Sequence, residues 1–231
     1  MKYLLPLLFS ISFMGCPASI QDLIDVPLSN ADISNGLKEA LSLGTDEAVG
    51  FLSAKDGYFK TAYKILLPEE ARQVTDKLKV IPGFNNVEGV VLEKINRAAE
   101  DAAIKAGPIF LDAIKGMSIS DAMSILMGER DAATQYLHGQ TYNQLYGEFQ
   151  PILLESLQKF NAVTYWEDAV NTYNKIPLLA DVNPRLDDYV AHEALKGLFS
   201  LVEKKEDGIR ADVSQRVTPL LQKVFAKQDP N

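Results

Sequence analysis

The chain of 231 residues contains one cysteine, two histidines and one tryptophan. A single cysteine excludes an internal disulfide and any multi-cysteine metal site. His138 and His192 leave little material for zinc ligation or imidazole catalysis. Positive charge is also short: 23 Lys and Arg stand against 31 Asp and Glu, a net charge of −8. That balance excludes binding of nucleic acid or anionic lipid headgroups through bulk charge. No Gly-rich phosphate loop precedes a helix, and no G-x-S-x-G elbow is present. What is present is ordinary globular composition, 47% hydrophobic and 23% charged. The length suffices for a sizeable core, and disorder as the main state is excluded.

The N-terminus reads MKYLLPLLFSISFMGC. Lys2 supplies a positive n-region and residues 3–14 form an apolar h-region. The run is too short for a membrane span, which needs about 20 apolar residues. Gly15 then precedes Cys16, and this ending resembles the lipobox of bacterial lipoproteins. The resemblance implies that residues 1–15 are a signal peptide, that Cys16 is lipidated, and that residues 16–28 are a tether. Phe13 and Met14 stand where that family prefers Leu and a small residue. Cleavage near Ala18-Ser19, or an uncleaved helix, are the alternatives. Several acyl chains, at about 0.8 kcal/mol per buried CH₂, would hold the chain on a membrane rather than in it. Pro17 rather than Asp follows the cysteine, which in lipoproteins of enteric bacteria favours the outer membrane.

From Ser29 onward the apolar period is helical, with no sustained alternation of the kind a half-buried strand requires. The expectation is an all-α, single-domain helical bundle over residues 29–228. Two long, proline-kinked helices and several shorter ones build it. Ile33, Leu37, Ala40, Leu41, Ala48 and Leu52 predict a first helix over 30–52, capped by Ser29 or Asn30. A loop follows over 53–67, then a helix with Pro68 at its first position. Val87, Val91, Ile95, Ala98, Ala102, Ala106, Ile109 and Ala113 predict a long helix over 85–115, kinked at Pro108. A short helix over 120–127, capped by Ser118 or Ser120, precedes a second long one over 130–159 that contains Pro151. Further helices are expected over 163–174, 186–210 and 213–226.

Seven segments together resemble a bacterial domain-of-unknown-function family, number forty-one ninety-seven. They are GLKEAL (36–41), NRAAE (96–100), IFLDAIKGM (109–117), DAATQY (131–136), LDDYV (186–190), ALKGLF (194–199) and KVF (223–225). The resemblance implies an all-helical, secreted or lipidated protein and carries no activity with it.

These motifs supply the candidate site residues. In NRAAE, Arg97 has Glu93 four before it, Glu100 three after and Asp101 four after, all able to pair on a helix. The readings are a solvated salt-bridge face, a buried Asn96–Arg97–Glu100 network that fixes helix docking, or a ligand site. In LDDYV, Asp187 and Asp188 suit the amides of a helix start, with a cation site as the alternative. Asp131, Tyr136 and Tyr189 complete the candidates. Residues 181–185 begin like a calcium loop, but Arg185 takes the third oxygen position and no Gly follows. His192-Glu193 begins like a zinc-protease motif, but Lys196 stands where the second histidine belongs. Both histidines are read as surface or core packing residues, with His138 isolated on its helix.

No metal and no cofactor are expected, and the chain is read as not an enzyme. The leading functional expectation is a lipid-anchored periplasmic protein that binds an envelope protein or stabilises an assembly. A carrier of an apolar small molecule, with its cavity near Pro108 and Pro151, is the alternative. It rests on Tyr136, Tyr142, Tyr146, Phe149, Tyr165, Trp166 and Tyr173, which make the middle of the chain aromatic. A carboxylate-based hydrolase, testable at Glu100, comes third.

Overall fold

A computed structural model describes residues 27–229 except 117, 119–121, 180, 183 and 184. The signal peptide, Cys16 and most of the tether lie outside the described residues, as do Ser120 and part of the 181–185 loop. The described residues contain eight α-helices and no strand. They are α1 (Asn30–Leu52), α2 (Glu69–Leu78), α3 (Val87–Gly116), α4 (Ala122–Leu126), α5 (Ala132–Lys159), α6 (Ala162–Tyr173), α7 (Asp187–Ala211) and α8 (Pro219–Phe225). The all-α fold agrees with the sequence reading.

Four of the helices are long, and each packs against two of the others in a closed ring: α1 on α7, α7 on α5, α5 on α3 and α3 on α1. Their apolar stripes meet at the centre, as a surface helix requires. α2 pairs with α6 over one side of this frame, while α4 and α8 lie against α1. The predicted stripe of α1 is buried throughout, and Ser29 and Asp32 close a capping box at its start. Gly44 lets α1 approach α7: a Cβ there would sit 3.3 Å from the Val202 backbone.

α3 and α5 both run through their prolines, Pro108 and Pro151. The alanines at 98, 99, 102, 103 and 106 are fully buried, which brings α3 close to its neighbours. Past Pro108 the buried positions are Phe110 and Ile114, one residue on from the expected Ile109 and Ala113. Ile109 and Ala113 are partly buried beside them.

Several boundaries differ from expectation, most by one or two residues, and two of the differences have a physical reason. Pro68 caps α2 from outside rather than opening it. The last helix is split: a 3₁₀ turn covers Val213–Gln215, and α8 begins only at Pro219, capped by the Thr218 hydroxyl. Proline's missing N–H suits that first position, so the true start carried its own signal.

Candidate functional site

The NRAAE segment is buried against the 53–67 loop. Asn96 is 0% exposed. Its Oδ1 accepts from the Ile65 amide at 2.8 Å, and its Nδ2 donates to the carbonyls of Ile65 and Leu92 at 2.9 and 2.8 Å. Glu100 Oε1 accepts from the Tyr58 and Phe59 amides at 3.3 and 3.1 Å. Its Oε2 takes Arg97 Nη1 at 2.8 Å, and Arg97 Nη2 reaches Asp56 at 2.7 Å. The guanidinium lies over the Phe59 ring, 5.0 Å from its centroid. That hydrogen bond from Arg97 holds the Asp56 carboxyl below its usual range. The docking-network reading is therefore the one the geometry carries, and the solvated-face reading is corrected. Glu93 is a loose third partner at 3.8 Å. Asp101 does not turn to Arg97; it faces α5, meeting Ser156 at 2.9 Å and Lys159 at 2.5 Å. Both carboxylate oxygens of Glu100 are engaged, Oε1 by the loop amides and Oε2 by Arg97.

The first turn of α7 gathers the LDDYV carboxylates. Asp187 is gripped by Arg185, with Nε–Oδ1 at 3.1 Å and Nη2–Oδ2 at 2.6 Å, and by Gln150 at 3.2 Å. Arg185 lowers the Asp187 pKa most; burial opposes it, and the amides of residues 187 and 188 add a smaller lowering. Asp188 accepts from the Tyr146 hydroxyl. That bond, then burial, pushes the phenol up to about 12. Amide capping is thus a minor part of what these two acids do, because side chains of α5 and the preceding loop reach them first.

Beside them runs a stack of rings between α5 and α7. His138 stacks on Tyr142 at 4.5 Å, and Tyr146 on His192 at 4.5 Å. The Tyr142 hydroxyl meets His192 Nδ1 at 2.5 Å. Phe199 sets its edge against His138 at 4.8 Å and carries the stack inward to Phe110 at 5.1 Å. His138 is therefore not isolated; both histidines are packing residues in one ladder. Among the described residues no group of three His, Cys, Asp or Glu side chains could hold a metal ion.

The remaining candidates stand apart. Asp131 precedes α5 and accepts from Gln135 at 3.1 Å. Tyr136 donates to the Ser118 carbonyl at 2.7 Å, and Tyr189 packs half-buried against the core.

A cavity of about 220 Å³ opens where α3, α5, α6 and the start of α7 converge. It is lined by Ile95 of α3, Leu154 and Leu157 of α5, and Ala162, Val163 and Trp166 of α6. Glu167, Arg185, Leu186 and Asp187 complete the lining. Leu154 lies three residues past Pro151, which does not itself line the cavity. Pro108 does not line it, and of the aromatic cluster only Trp166 does. Trp166 is 3% exposed, and its indole Nε1–H is buried with no acceptor. Buried donors are otherwise nearly always paired. Most of the residues lining the cavity are apolar, as small-molecule pockets generally are.

The family described as protein of unknown function (DUF4197) matches residues 27–226. The chain belongs to this family. As a DUF4197 protein it matches no curated protein and no solved structure. Among the described residues no helix is long and apolar enough to cross a membrane.

Two buried clusters escaped the sequence reading. Glu206 accepts from the Ala133 and Thr134 amides and pairs with Arg210, whose Nη1 donates to the Leu126 carbonyl at 2.6 Å. Arg216 donates to the Ile209 and Arg210 carbonyls and to both oxygens of Asp229. The first had a signal: the stripe Val190, Ala194, Leu198, Val202 steps next to position 206.

Proposed function

We propose that this DUF4197 protein is a non-enzymatic binding protein of the bacterial envelope, held on a membrane by a lipid on Cys16, and that its folded domain takes an apolar small molecule. The observation that carries the binding role is the chamber lined by Ile95, Leu154, Leu157, Ala162, Val163 and Trp166, apolar side chains throughout. An apolar cavity of about 150 Å³ stays dry and binds benzene, so about 220 Å³ suffices for a ring with a short substituent. The carboxylates offered as hydrolase candidates are committed to loop and helix contacts, which supports a role without catalysis.

The anchor rests on the Gly15-Cys16 junction after an apolar leader. Mass spectrometry of the chain taken from its own membranes checks it. The expected result is an N-terminal acylated Cys16, lost with Cys16→Ser; an unmodified residue there would remove the anchor from the reading. The binding role is tested with α-methylstyrene, a hydrocarbon of one ring, on the purified full chain. Trp166 is the sole tryptophan, so its fluorescence reports the cavity alone. The expected outcome is a saturable change that Ala162→Leu, which fills the chamber, abolishes. A flat titration would sink the cavity as a binding site and leave the docking of an envelope protein as the remaining reading.

A further inference from the structure

A second surface, sharing no lining residue with the cavity beside Trp166, runs along α7. Two hollows lie there, of about 400 and 350 Å³. Glu193 and Lys196 of α7 line the first, with Tyr63 and Lys64 of the loop. Lys204 and Lys205 of α7 line the second, with Glu47 and Phe51 of α1 and Tyr63 again. The α7 positions 193, 196, 197, 200, 201 and 204 step by three and four, so they share one face of the helix. Tyr63 belongs to both hollows, so the two form one groove. It runs about 18 Å along the helix from residue 193 to residue 205.

Charge sets this groove apart from the rest of the molecule. Lys64, Lys196, Lys204 and Lys205 line it against Glu47 and Glu193, an excess of positive charge on a chain of net charge −8. Lys205 takes Glu47 at 2.9 Å, and Lys196 takes Glu193 at 3.3 Å. Among the described residues no carboxylate pairs with Lys204 in one hollow or with Lys64 in the other. At the junction Tyr63 meets Phe51 edge-on, with ring centroids 6.2 Å apart, and Phe51 is 47% exposed. Local positive potential draws an anion to this part of an acidic molecule. A single phosphate matches it poorly, because the two lysines lie in different hollows and no arginine fork lines either. A flat lipid surface would leave the hollows unfilled. An extended peptide fits: at about 3.3 Å per residue, about six residues cover the groove, with alternate side chains on one side.

From the placement of Lys64 and Lys204 in the two hollows that meet at the Phe51–Tyr63 pair, we propose that this groove docks an extended acidic segment of a partner protein. An apolar side chain of that segment rests on the ring pair, and carboxylates on either side of it meet the two lysines.

The test titrates the isotope-labelled full chain with the peptide Glu-Glu-Phe-Glu-Glu, blocked at both ends, and follows the backbone amide resonances. The expected result is a saturable shift confined to residues 62–64 and 193–205. Lys64→Glu with Lys204→Glu should weaken binding about tenfold, since two exposed ion pairs give way to two like-charge contacts. Lys77→Glu with Lys227→Glu makes the same change of charge outside the groove and should weaken it less than twofold. Replacing the peptide's phenylalanine by alanine should weaken it about fivefold, the range of one aromatic pair. Equal losses in the two double variants would reduce the effect to bulk charge and overturn the proposal. Equal binding of Gln-Gln-Phe-Gln-Gln would overturn its acidic class. Capture by phosphatidylglycerol vesicles, in place of the peptide and abolished by Lys64→Glu with Lys204→Glu, would assign the groove to a lipid surface and overturn the peptide. No saturable shift at millimolar peptide would also overturn it, and would leave the cavity reading untouched.

Discussion

The side-chain amide of Asn96 pairs with Ile65 as a strand partner would, accepting from its N–H at 2.8 Å and donating to its C=O at 2.9 Å. One residue of α3 thereby satisfies both backbone groups of a loop residue that is itself buried. Asn96→Leu keeps the volume and removes both bonds. It is expected to destabilise the fold by about 2–4 kcal/mol, since two buried backbone groups lose their partner. Asn96→Asp keeps the acceptor, loses the donor and buries a charge, so it should do no better. Urea unfolding followed by circular dichroism measures both. A change under about 0.5 kcal/mol, the range of an ordinary surface substitution, would show that the pairing contributes nothing.

Glu206 caps α5 from a different helix. Its carboxylate takes the Ala133 amide at 2.9 Å and the Thr134 amide and hydroxyl at 2.7 and 2.6 Å. This explains why Asp131, at the N-cap position, makes no capping bond of its own. Glu206→Ala should cost about 3–5 kcal/mol, because Arg210 would be left buried without its anion. Many buried pairs can be exchanged for apolar residues at little loss. Here Glu206→Leu with Arg210→Met should not recover stability, because the Ala133 and Thr134 amides of α5 lose their acceptor, although the Ile125 and Leu126 carbonyls keep Gly128 and Gln228 as donors. A double variant as stable as the parent would show that this helix terminus needs no cap.

These two networks mark how far the sequence could be read. The helices were legible because each buries a stripe at helical spacing, and a stripe needs only residues on its own helix. The pairing of Arg97 with Glu100 was legible for the same reason. Its links to Asp56, Tyr58 and Phe59 were not, because the loop's path is set by contacts across forty residues of chain. Asp101 shows the limit from the other side. Spacing allowed it to face Arg97, but α5 stood nearer, and Ser156 and Lys159 took it. A cavity near Pro108 and Pro151 was expected, but neither proline lines the one beside Trp166. That Trp166 alone among the aromatics lines it depends on where α6 lands after Asn161, whose left-handed φ of 52° turns the chain between α5 and α6.

Asp187 gives the fold an acid-sensitive ion pair with Arg185 beside the cavity. Its folded pKa lies below the unfolded value of about 3.9, chiefly because of Arg185. A lowered pKa contributes stability that is full above the unfolded value and is lost as pH falls through the folded one. Asp187→Asn should therefore destabilise the chain by about 1–2 kcal/mol at neutral pH, the loss of charged hydrogen bonds. It should also flatten the fall in stability below about pH 4. Denaturant titrations at stepped acid pH compare the two chains. Parallel acid limbs would show that Arg185 does not hold Asp187 in solution.

Tyr146 sets the opposite limb. Its phenol donates to Asp188 and is pushed up to about 12, against about 10 in an unfolded chain. The neutral phenol is the form that can donate, and the neighbouring carboxylate disfavours phenolate. The folded state therefore keeps this proton where the unfolded state has released it. The resulting stability is complete below about pH 10 and drains away as pH rises toward 12. Tyr146→Phe removes the donor, so it should lower stability at neutral pH and lose less of what remains on the alkaline side. Difference ultraviolet titration of the parent against the variant isolates this one phenol among nine tyrosines. A difference curve centred near the ordinary value of about 10 would show that Asp188 leaves Tyr146 unperturbed, and would break the link between the ring ladder and the first turn of α7.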